Sequence, residues 1–390
     1  MSTLKVGGIR GVSASSDAIT VANDGTCTAN ITNNLSNRNL IINGAMQVAQ
    51  RGTSSTDQSY GSLDRFKIIY SGTDEAPTHS QADVAAGTTP YTLGFRKAYK
   101  ITNGNQTSGA GAGDRIELQT NLEGQDLAQS GWNYVSDSSF ITLSFWIKSS
   151  VAQSFASRLQ TQTAGGNGST SRFKFNFALS ADTWTKVTKT IPGNSNLAFT
   201  TDNQNGFRIS FYAFMGTDFT DSTTATDVWA NNAGGDRADD MTSTWYTTND
   251  ATLEITGVQL EVGSVATDFE HRSFAQELAL CQRYYFRLAE GADHVPIGMG
   301  SAYTSSINIG IVHFPCKMRA NPSVEAVNAS NYYRIISNGS TFFGSNVIIE
   351  DANSTCTGIR VTGASGVSQG TASYIRLGNA LAYVAFNAEL

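Results

Sequence analysis

Three stretches in the middle of the chain alternate apolar and polar residues with a period of two. They are residues 140–148 (FITLSFWIK), 172–179 (RFKFNFAL) and 207–215 (FRISFYAFM). A period of two places every second side chain on the same face of an extended strand, so each stretch has one apolar face and one polar face. Such strands need a second apolar layer to cover them, and two packed antiparallel sheets supply it. The pattern therefore predicts an all-β sandwich.

Five further stretches show the same alternation in a weaker form, with turn residues between them. They are residues 65–70, 95–101, 114–120, 183–191 and 252–262. In the last of these, the apolar positions change from odd to even numbers at Gly257, which predicts a bulge in a continuous strand. The eight stretches together are typical of a jelly-roll-like sandwich.

The sequence on either side of this sandwich divides into three parts. Residues 1–38 are too poor in apolar side chains to bury a core alone, so we expect an arm that is ordered by oligomerisation or by docking to a larger assembly, with partial disorder as the alternative. Residues 39–272 hold the sandwich. Residues 273–288 are predicted to form one connecting α-helix, and the renewed alternation in residues 289–390 predicts a smaller C-terminal β domain.

The helix prediction depends on a capping box and an apolar stripe. Ser273 followed three residues later by Gln276 is a pattern in which each side chain bonds a free backbone N–H of the first turn. Steps of four and three residues place one set of side chains on a single helical face: Phe274, Leu278, Cys281, Tyr285 and Leu288. Because the stripe is too short for a free coiled coil, it must pack on a sandwich or meet symmetry mates. These five residues are therefore candidates for oligomerisation.

Charge and composition exclude several functional classes. The net charge is −6 and no run of Lys or Arg is present, so we expect no nucleic-acid partner. Cys27, Cys281, Cys316 and Cys356 lie too far apart for a zinc site or a disulfide framework, which favours free thiols. The N-terminus lacks the apolar core of a signal peptide, and no window approaches the roughly 20 apolar residues of a membrane span. We therefore expect a soluble protein, without membrane insertion, made in a reducing cytoplasm.

Motifs for catalysis, metal binding and cofactors are not found in the sequence. The Gly-rich residues 104–114 lack the Gly-Lys-Ser/Thr ending of a phosphate-binding loop, and the four histidines have no metal-like spacing. No Gly-x-Ser-x-Gly elbow occurs, and nothing selects a pair of carboxylates for glycoside hydrolysis. We therefore expect no enzymatic activity, no metal and no cofactor.

Aromatic side chains are the remaining lead for a binding site. Trp146 lies on the otherwise polar face of its strand, and four more aromatics fall in predicted loops: Trp132, Trp229, Trp245 and Tyr246. Aromatic rings can stack on sugars, which makes all five glycan-binding candidates, although a ring packed beneath a loop is commoner. Residues 216–250 also hold seven aspartates, so a calcium or sugar site is one interpretation of this long loop. The simpler one is a solvated loop that its aromatics pin to the sandwich or to a neighbouring subunit.

Eight phrases of the sequence follow one another in an order that is itself informative. They are residues 39–52 (NLIINGAMQVAQRG), 63–66 (LDRF), 122–128 (LEGQDLA), 142–150 (TLSFWIKSS), 181–184 (ADTW), 257–272 (GVQLEVGSVATDFEHR), 277–285 (ELALCQRYY) and 314–324 (FPCKMRANPSV). Together they resemble a family of bacteriophage virion proteins described as tail fibre, tail or minor structural proteins. The chain departs from the family pattern at Phe66, where Trp is common, and at Asp268, where Pro is common.

The resemblance implies a structural protein of the phage particle, without a catalytic residue set. It implies a carbohydrate-binding-module-like sandwich and a homotrimer. By the same analogy, residues 1–38 would attach to other tail proteins, while the sandwich or the C-terminal domain would bind a host cell-surface glycan. One alternative is a capsid-surface fibre or decoration protein that docks through the same arm. Another is a glycan depolymerase in a tail spike, which the lack of sequence repeats disfavours.

Overall fold

Three short strands come first in the computed structural model, which describes residues 6–10, 12, 18–21, 27–29, 37–166, 168–291 and 294–390. They are β1 (Gly8–Ile9), β2 (Ile19–Val21) and β3 (Cys27–Ala29), paired antiparallel in the order β1-β2-β3. The apolar alternation of the arm thus forms strands that pair within the chain. Ile9, Val12 and Val21 are exposed. Predictions for the rest of the arm fall outside the described residues.

The alternating stretches that follow form two six-stranded antiparallel sheets, which confirms the predicted sandwich. The first sheet has the order β14-β11-β10-β13-β8-β5, and the second has the order β12-β9-β15-β7-β6-β4. The strands are β4 (Ser54–Ser55), β5 (Phe66–Ser71), β6 (Thr78–Asp83), β7 (Lys97–Thr102), β8 (Arg115–Glu123), β9 (Phe140–Ser149), β10 (Gln153–Thr161), β11 (Ser171–Leu179), β12 (Thr185–Pro192), β13 (Asn205–Met215), β14 (Trp229–Asn231) and β15 (Thr252–Val262).

The core lies between the two sheets and is rich in phenylalanine. Phe145 of β9 meets Phe211 of β13 edge to face, with 4.9 Å between ring centroids and 75° between ring planes, so this pair joins one sheet to the other. Phe177 of β11 contacts Phe145 from a neighbouring position, with 5.6 Å between their ring centroids. Edge-to-face pairs of this kind add to the free energy gained by burying the rings themselves. The residues predicted to face inward are therefore the ones that hold the sandwich together.

The predicted bulge in β15 is confirmed. Pairing with β9 shifts register between Thr256 and Gln259, and Gly257 has a φ of +63°. A Cβ at this position would lie 2.6 Å from Cζ of Phe95, so glycine is required both for the backbone conformation and for the approach of that ring.

Helices are few and short in the described residues. They are α1 (Thr89–Thr92), α2 (Gly124–Ala128), α3 (Thr244–Thr247) and α4 (Phe274–Gln282), and a 3₁₀ turn spans Thr217–Phe219. The predicted capping box of α4 is confirmed, because Ser273 and Gln276 exchange both bonds. None of the described helices combines the length and apolar character needed to cross a membrane.

The prediction that this helix continues to residue 288 is wrong. α4 ends at Gln282, and Tyr285 and Leu288 lie in strand β16 (Tyr285–Glu290), which pairs with the last strand of the chain. Helical spacing and strand alternation both fit a short apolar run, and a partner strand about a hundred residues away decided between them here.

The predicted C-terminal β domain is confirmed, and it has its own core. Its strands after β16 are β17 (Pro296–Ala302), β18 (Ile307–His313), β19 (Ser323–Ala326), β20 (Tyr333–Ser337), β21 (Ser340–Gly344), β22 (Asn346–Ala352), β23 (Cys356–Thr362), β24 (Ala372–Leu377) and β25 (Tyr383–Asn387). One sheet has the order β16-β25-β19, and the other has the order β21-β20-β24-β17-β18-β23-β22.

Candidate functional site

The outer face of the second sheet carries an accessible tryptophan, as the sequence predicts. Alternation along β9 buries Phe145 and Ile147 in the core, so Trp146 between them points outward. Its cross-strand neighbours are Lys186 on β12 and Thr256 on β15. Trp146 is half-buried, and its remaining surface borders a cavity.

Three aromatic rings from two loops form the other side of this cavity. Phe95 precedes β7 and packs against the Gly257 bulge, while Phe269 and His271 follow β15. The centroids of Phe95 and Phe269 lie 5.0 Å apart with an interplanar angle of 70°, and His271 lies 5.1 Å from Phe95. The His271 Nε2–H donates to the carbonyl of Leu93 at 2.9 Å, which fixes the orientation of the ring.

The cavity has a volume of about 190 Å³ and combines aromatic walls with polar edges. Ser144 is buried at the same face of β9, and Lys186 and Asp268 are exposed at the edge. Apolar surface with a few placed polar groups is typical of small-molecule sites, and aromatic faces pack well against the C–H faces of sugar rings. We call this cavity the Trp146 pocket. The residues that define it are Phe95, Ser144, Trp146, Lys186, Asp268, Phe269 and His271.

The other four predicted glycan-binding aromatics do not reach this cavity. Trp132, Trp245 and Tyr246 are 3%, 0% and 0% exposed and belong to the sandwich core. Trp245 Nε1 donates to the Thr252 carbonyl at 3.0 Å, and Trp132 Nε1 donates to the Ser139 carbonyl at 3.3 Å. Trp229 is half-buried against Phe173 and donates to the Pro192 carbonyl at 2.6 Å. Trp132 holds its loop onto the sandwich. The prediction that the other three lie in loops is wrong, because Trp229 begins β14 and Trp245 and Tyr246 lie in α3. Their packing still matches the simpler interpretation of residues 216–250, in which aromatic rings pin this segment to the sandwich.

Two aspartates of the same long loop pair with cations of the first sheet. Asp236 pairs with Arg172 and, at 2.8 Å, with Lys174; Asp239 also lies 2.8 Å from Lys174. Although burial opposes it, these bonds and one from the Thr224 hydroxyl hold the pKa of Asp236 below its usual range. Over the described ranges, no group of three His, Cys, Asp or Glu side chains is arranged to hold a metal ion.

The five oligomerisation candidates are divided between two elements and three environments. Phe274 is 56% exposed at the start of α4, and Leu278 is half-buried one turn later. Cys281 and Tyr285 are buried, and Leu288 packs against the C-terminal core. Of the five candidates, Phe274 and Leu278 of α4 are therefore the two that can present apolar surface to a partner.

A serine–histidine contact lies in the sandwich, although the sequence shows no motif for it. His79 Nε2–H donates to the Asp57 carbonyl at 3.0 Å, so Nδ1 is the acceptor for the Ser62 hydroxyl at 2.7 Å and the Tyr99 hydroxyl at 2.8 Å. Ser62, His79 and Tyr99 are all 0% exposed, and burial lowers the pKa of His79. With no access for a substrate, the contact satisfies buried polar groups.

Sequence reasoning identified Trp146 and missed its partners in the pocket. Phe95 and Phe269 lie far from Trp146 in the chain. Phe95 begins the stretch 95–101 that alternation predicts as a strand, but β7 begins only at Lys97, and Phe269 lies in a loop where no periodicity predicts its direction. The available signal was the break in alternation at Gly257, since a bulge that needs glycine also marks a close approach by another group.

Comparisons with known proteins give only distant structural similarity. No family model matches the chain, and no curated protein matches it. A bacteriophage CBA120 tailspike protein 4 enzymatically active domain is 11% identical with a TM-score of 0.31, and the match covers 57% of this chain and 21% of that one. A CBM4 structure is 13% identical with a TM-score of 0.29, covering 56% and 97%. The CBM22-1 xylan-binding domain from Paenibacillus barcinonensis Xyn10C is 10% identical with a TM-score of 0.26, covering 56% and 96%. Similarity at this level assigns neither a ligand nor an activity to this chain.

Proposed function

We propose that the protein is a structural component of a bacteriophage particle, a tail fibre or appendage protein that binds a glycan of the host surface. In this proposal it acts as a homotrimer in the virion and has no enzymatic activity. The resemblance of the phrases at residues 39–52, 257–272 and 277–285 to phage virion proteins supports the particle assignment. Residues 1–38 would attach it to the other tail proteins.

The Trp146 pocket is the observation that carries the binding part of the proposal. An aromatic ring on an otherwise polar strand face costs free energy in water unless a partner covers it. Here three more rings surround it, and Ser144, Lys186 and Asp268 offer hydrogen bonds at the same opening. A sugar unit uses both properties at once, because its C–H face packs on a ring while its hydroxyls take polar partners.

Trp146→Ala tests this proposal directly. The variant should lose binding by tenfold to a hundredfold, since truncating a central aromatic removes much of the binding energy of a small site. Binding would be measured on an array of bacterial surface polysaccharides and then by calorimetry with the best ligand.

Tyr303→Ala is the matched control, because Tyr303 is a 61% exposed aromatic in the C-terminal domain. It should bind as the unchanged protein does. Equal binding by the Trp146→Ala variant, with its fold intact by circular dichroism, would remove the pocket from the proposal.

Two further measurements test the rest of the proposed function. Incubation of the purified protein with host polysaccharide should release no oligosaccharide; release would replace the binding role by a depolymerase. Antibody labelling of intact particles should mark the tail. Labelling over the head would instead support the capsid-surface fibre or decoration protein.

A further inference from the structure

A second groove, on the opposite side of the sandwich, has a different chemical character. It lies on the outer face of the first sheet, has a volume of about 280 Å³, and is lined mainly by long polar side chains. Four of them are arginines: Arg115 of β8, Arg158 of β10, Arg208 of β13 and Arg237 of the loop after β14. We call it the arginine groove.

Strand register explains why a hollow forms here. Arg158 lies opposite Ser210, and Ser210 lies opposite Gln119 on the other side. In the next row, Gln160 lies opposite Arg208. The short serine between two long side chains leaves space that the neighbouring arginines and glutamines border.

The positive charge of the groove is not neutralised by its surroundings. Glu117 is the one carboxylate among its lining residues, and it accepts a bond from Gln119 Nε2 at 2.6 Å. Within the described ranges, none of the four arginines has a carboxylate oxygen within 4.0 Å. On the adjacent strand β11, by contrast, Arg172 and Lys174 are paired with Asp236.

Aromatic rings and amides, rather than carboxylates, hold the arginines in position. The guanidinium groups of Arg237 and Arg115 lie 4.6 Å and 5.2 Å from the centroid of Phe219. Arg158 Nη1 donates to Asn232 Oδ1 at 3.1 Å. Burial lowers the pKa of Arg208. The charge of Glu117 opposes this decrease, and the like charge of Arg158 lowers the pKa further. The side chains are thus fixed while their charges repel one another.

Polar atoms inside the groove also lack partners. Arg158 and Gln160 are 4% and 8% exposed, yet Arg158 Nε and Gln160 Oε1 make no hydrogen bond in the described structure. The Oε1 atom of the buried Gln119 is in the same condition. Buried polar atoms are normally satisfied, so these three indicate the position of a ligand that both accepts and donates hydrogen bonds.

We infer that the arginine groove binds an acidic sugar unit, with its carboxylate among the guanidinium groups and its hydroxyls on Gln119 and Gln160. Guanidinium groups pair with carboxylates through parallel N–H donors, and the volume is near the lower end of the roughly 300–1,000 Å³ usual for ligand sites. The preference for an anion follows from the groove itself. The choice of a sugar to carry that anion rests on the proposed function.

Calorimetry with trigalacturonate, neutral galactotriose and inorganic phosphate tests the inference on the full chain. Trigalacturonate should bind at least tenfold more tightly than the neutral trisaccharide, and added salt should weaken it. Arg158→Gln and Arg208→Gln should each weaken binding by about tenfold or more. Glu117→Gln should tighten it, because this change removes the one negative charge and keeps the bond from Gln119.

A control variant separates the groove from a general loss of positive charge. Lys317→Gln removes an exposed cation that lines neither the arginine groove nor the Trp146 pocket, and it should leave trigalacturonate binding unchanged. Two results would contradict an anion site in the groove. One is weaker trigalacturonate binding by the Glu117→Gln variant, and the other is equal binding of trigalacturonate and galactotriose by the unchanged protein. Phosphate bound as tightly as trigalacturonate through the same arginines would overturn the sugar assignment.

Discussion

At the scale of single residues, the sandwich holds a carboxylate in an environment that opposes its charge. Asp64 is fully buried, and its Oδ1 accepts from the backbone N–H of Gln50 at 2.9 Å. Burial raises the pKa of Asp64 to about 6, although bonds from Gln50 and the charge of Arg51 oppose the rise. The folded protein therefore binds this proton at a pH where the unfolded chain, with a pKa near 3.9, has released it.

This difference predicts how the stability depends on pH. Because the folded pKa of Asp64 is the higher one, its contribution to the free energy of unfolding is largest below about pH 4 and is lost as the pH rises to about 6. Asp64→Asn removes the titrating group. Relative to this variant, the unchanged protein should lose about 2 kcal/mol of its free energy of unfolding between pH 4 and pH 7.

Urea unfolding of both proteins at several pH values measures the predicted difference. Asp126, whose pKa burial also raises to about 6, remains in both proteins and cancels in the comparison. Parallel pH profiles for the two proteins would show that Asp64 titrates normally in the folded state.

Single residues also show what the sequence could predict and what it could not. The direction of Trp146 follows from the alternation of its own strand, so its exposure was predictable. Trp132 lies in a loop and Trp245 in the short helix α3, and their burial depends on where β9 and β15 pass in the folded sandwich. Similarly, the cations that face the aspartates of residues 216–250 come from β11, which local sequence does not reveal.

At the scale of elements, the bulge of β15 connects strand geometry to the Trp146 pocket. Gly257→Ala would place a Cβ at positive φ and 2.6 Å from the Phe95 ring. The positive φ alone should lower the free energy of unfolding by about 1–2 kcal/mol, and displacement of the Phe95 ring should lower it further. We expect this variant to unfold more easily and to bind its glycan more weakly.

Gly87→Ala is the control for the cost of a Cβ at positive φ. Gly87 has a φ of +85°, and an added Cβ would have no atom within 4 Å. The Gly87→Ala variant should lose about 1–2 kcal/mol of its free energy of unfolding, and its glycan binding should not change. If thermal unfolding gives the two variants the same loss, Phe95 does not constrain the bulge.

Helix α4 is the element proposed to meet its symmetry mates. Phe274 is 56% exposed and Leu278 follows it on the same face, whereas Tyr285 is buried in β16 and unsuitable for substitution. Phe274→Ser should therefore reduce the mass measured by light scattering from three times the 41.6 kDa of one chain to that of one chain. Leu381→Ser, at a 72% exposed position away from α4, should keep the trimer. A trimer that survives Phe274→Ser would place the interface elsewhere.

The boundary of α4 shows why elements are harder to predict than their patterns. The capping box depends on neighbours within three residues, so its prediction was correct. The end of the helix depends on β25, which takes residues 285–290 as a strand partner from the far end of the chain. Local spacing carries no information about such a partner.

At the scale of the whole molecule, the sandwich and the C-terminal domain meet through buried charges. The Arg65 guanidinium stacks on Tyr284 at 3.4 Å from its ring centroid and pairs with Glu389, which also lies 3.3 Å from Arg51. Nearby, Glu123 accepts bonds from Arg283 Nε at 2.7 Å and from the Tyr284 hydroxyl. Burial alone would raise the pKa of Glu123, but these bonds hold it below its usual range.

Removing one partner from this junction should cost far more than removing a surface charge. Glu389→Gln leaves the guanidinium groups of Arg51 and Arg65, both nearly inaccessible, without their carboxylate. An uncompensated buried charge costs about 3–5 kcal/mol, and we expect this loss in the free energy of unfolding. Asp83→Asn breaks the exposed pair with Lys97 and should cost less than about 1 kcal/mol. Differential scanning calorimetry would measure both, and the C-terminal domain of the Glu389→Gln variant should unfold before the sandwich. Small and equal losses in the two variants would mean that the two cores, and not Glu389, hold the domains together.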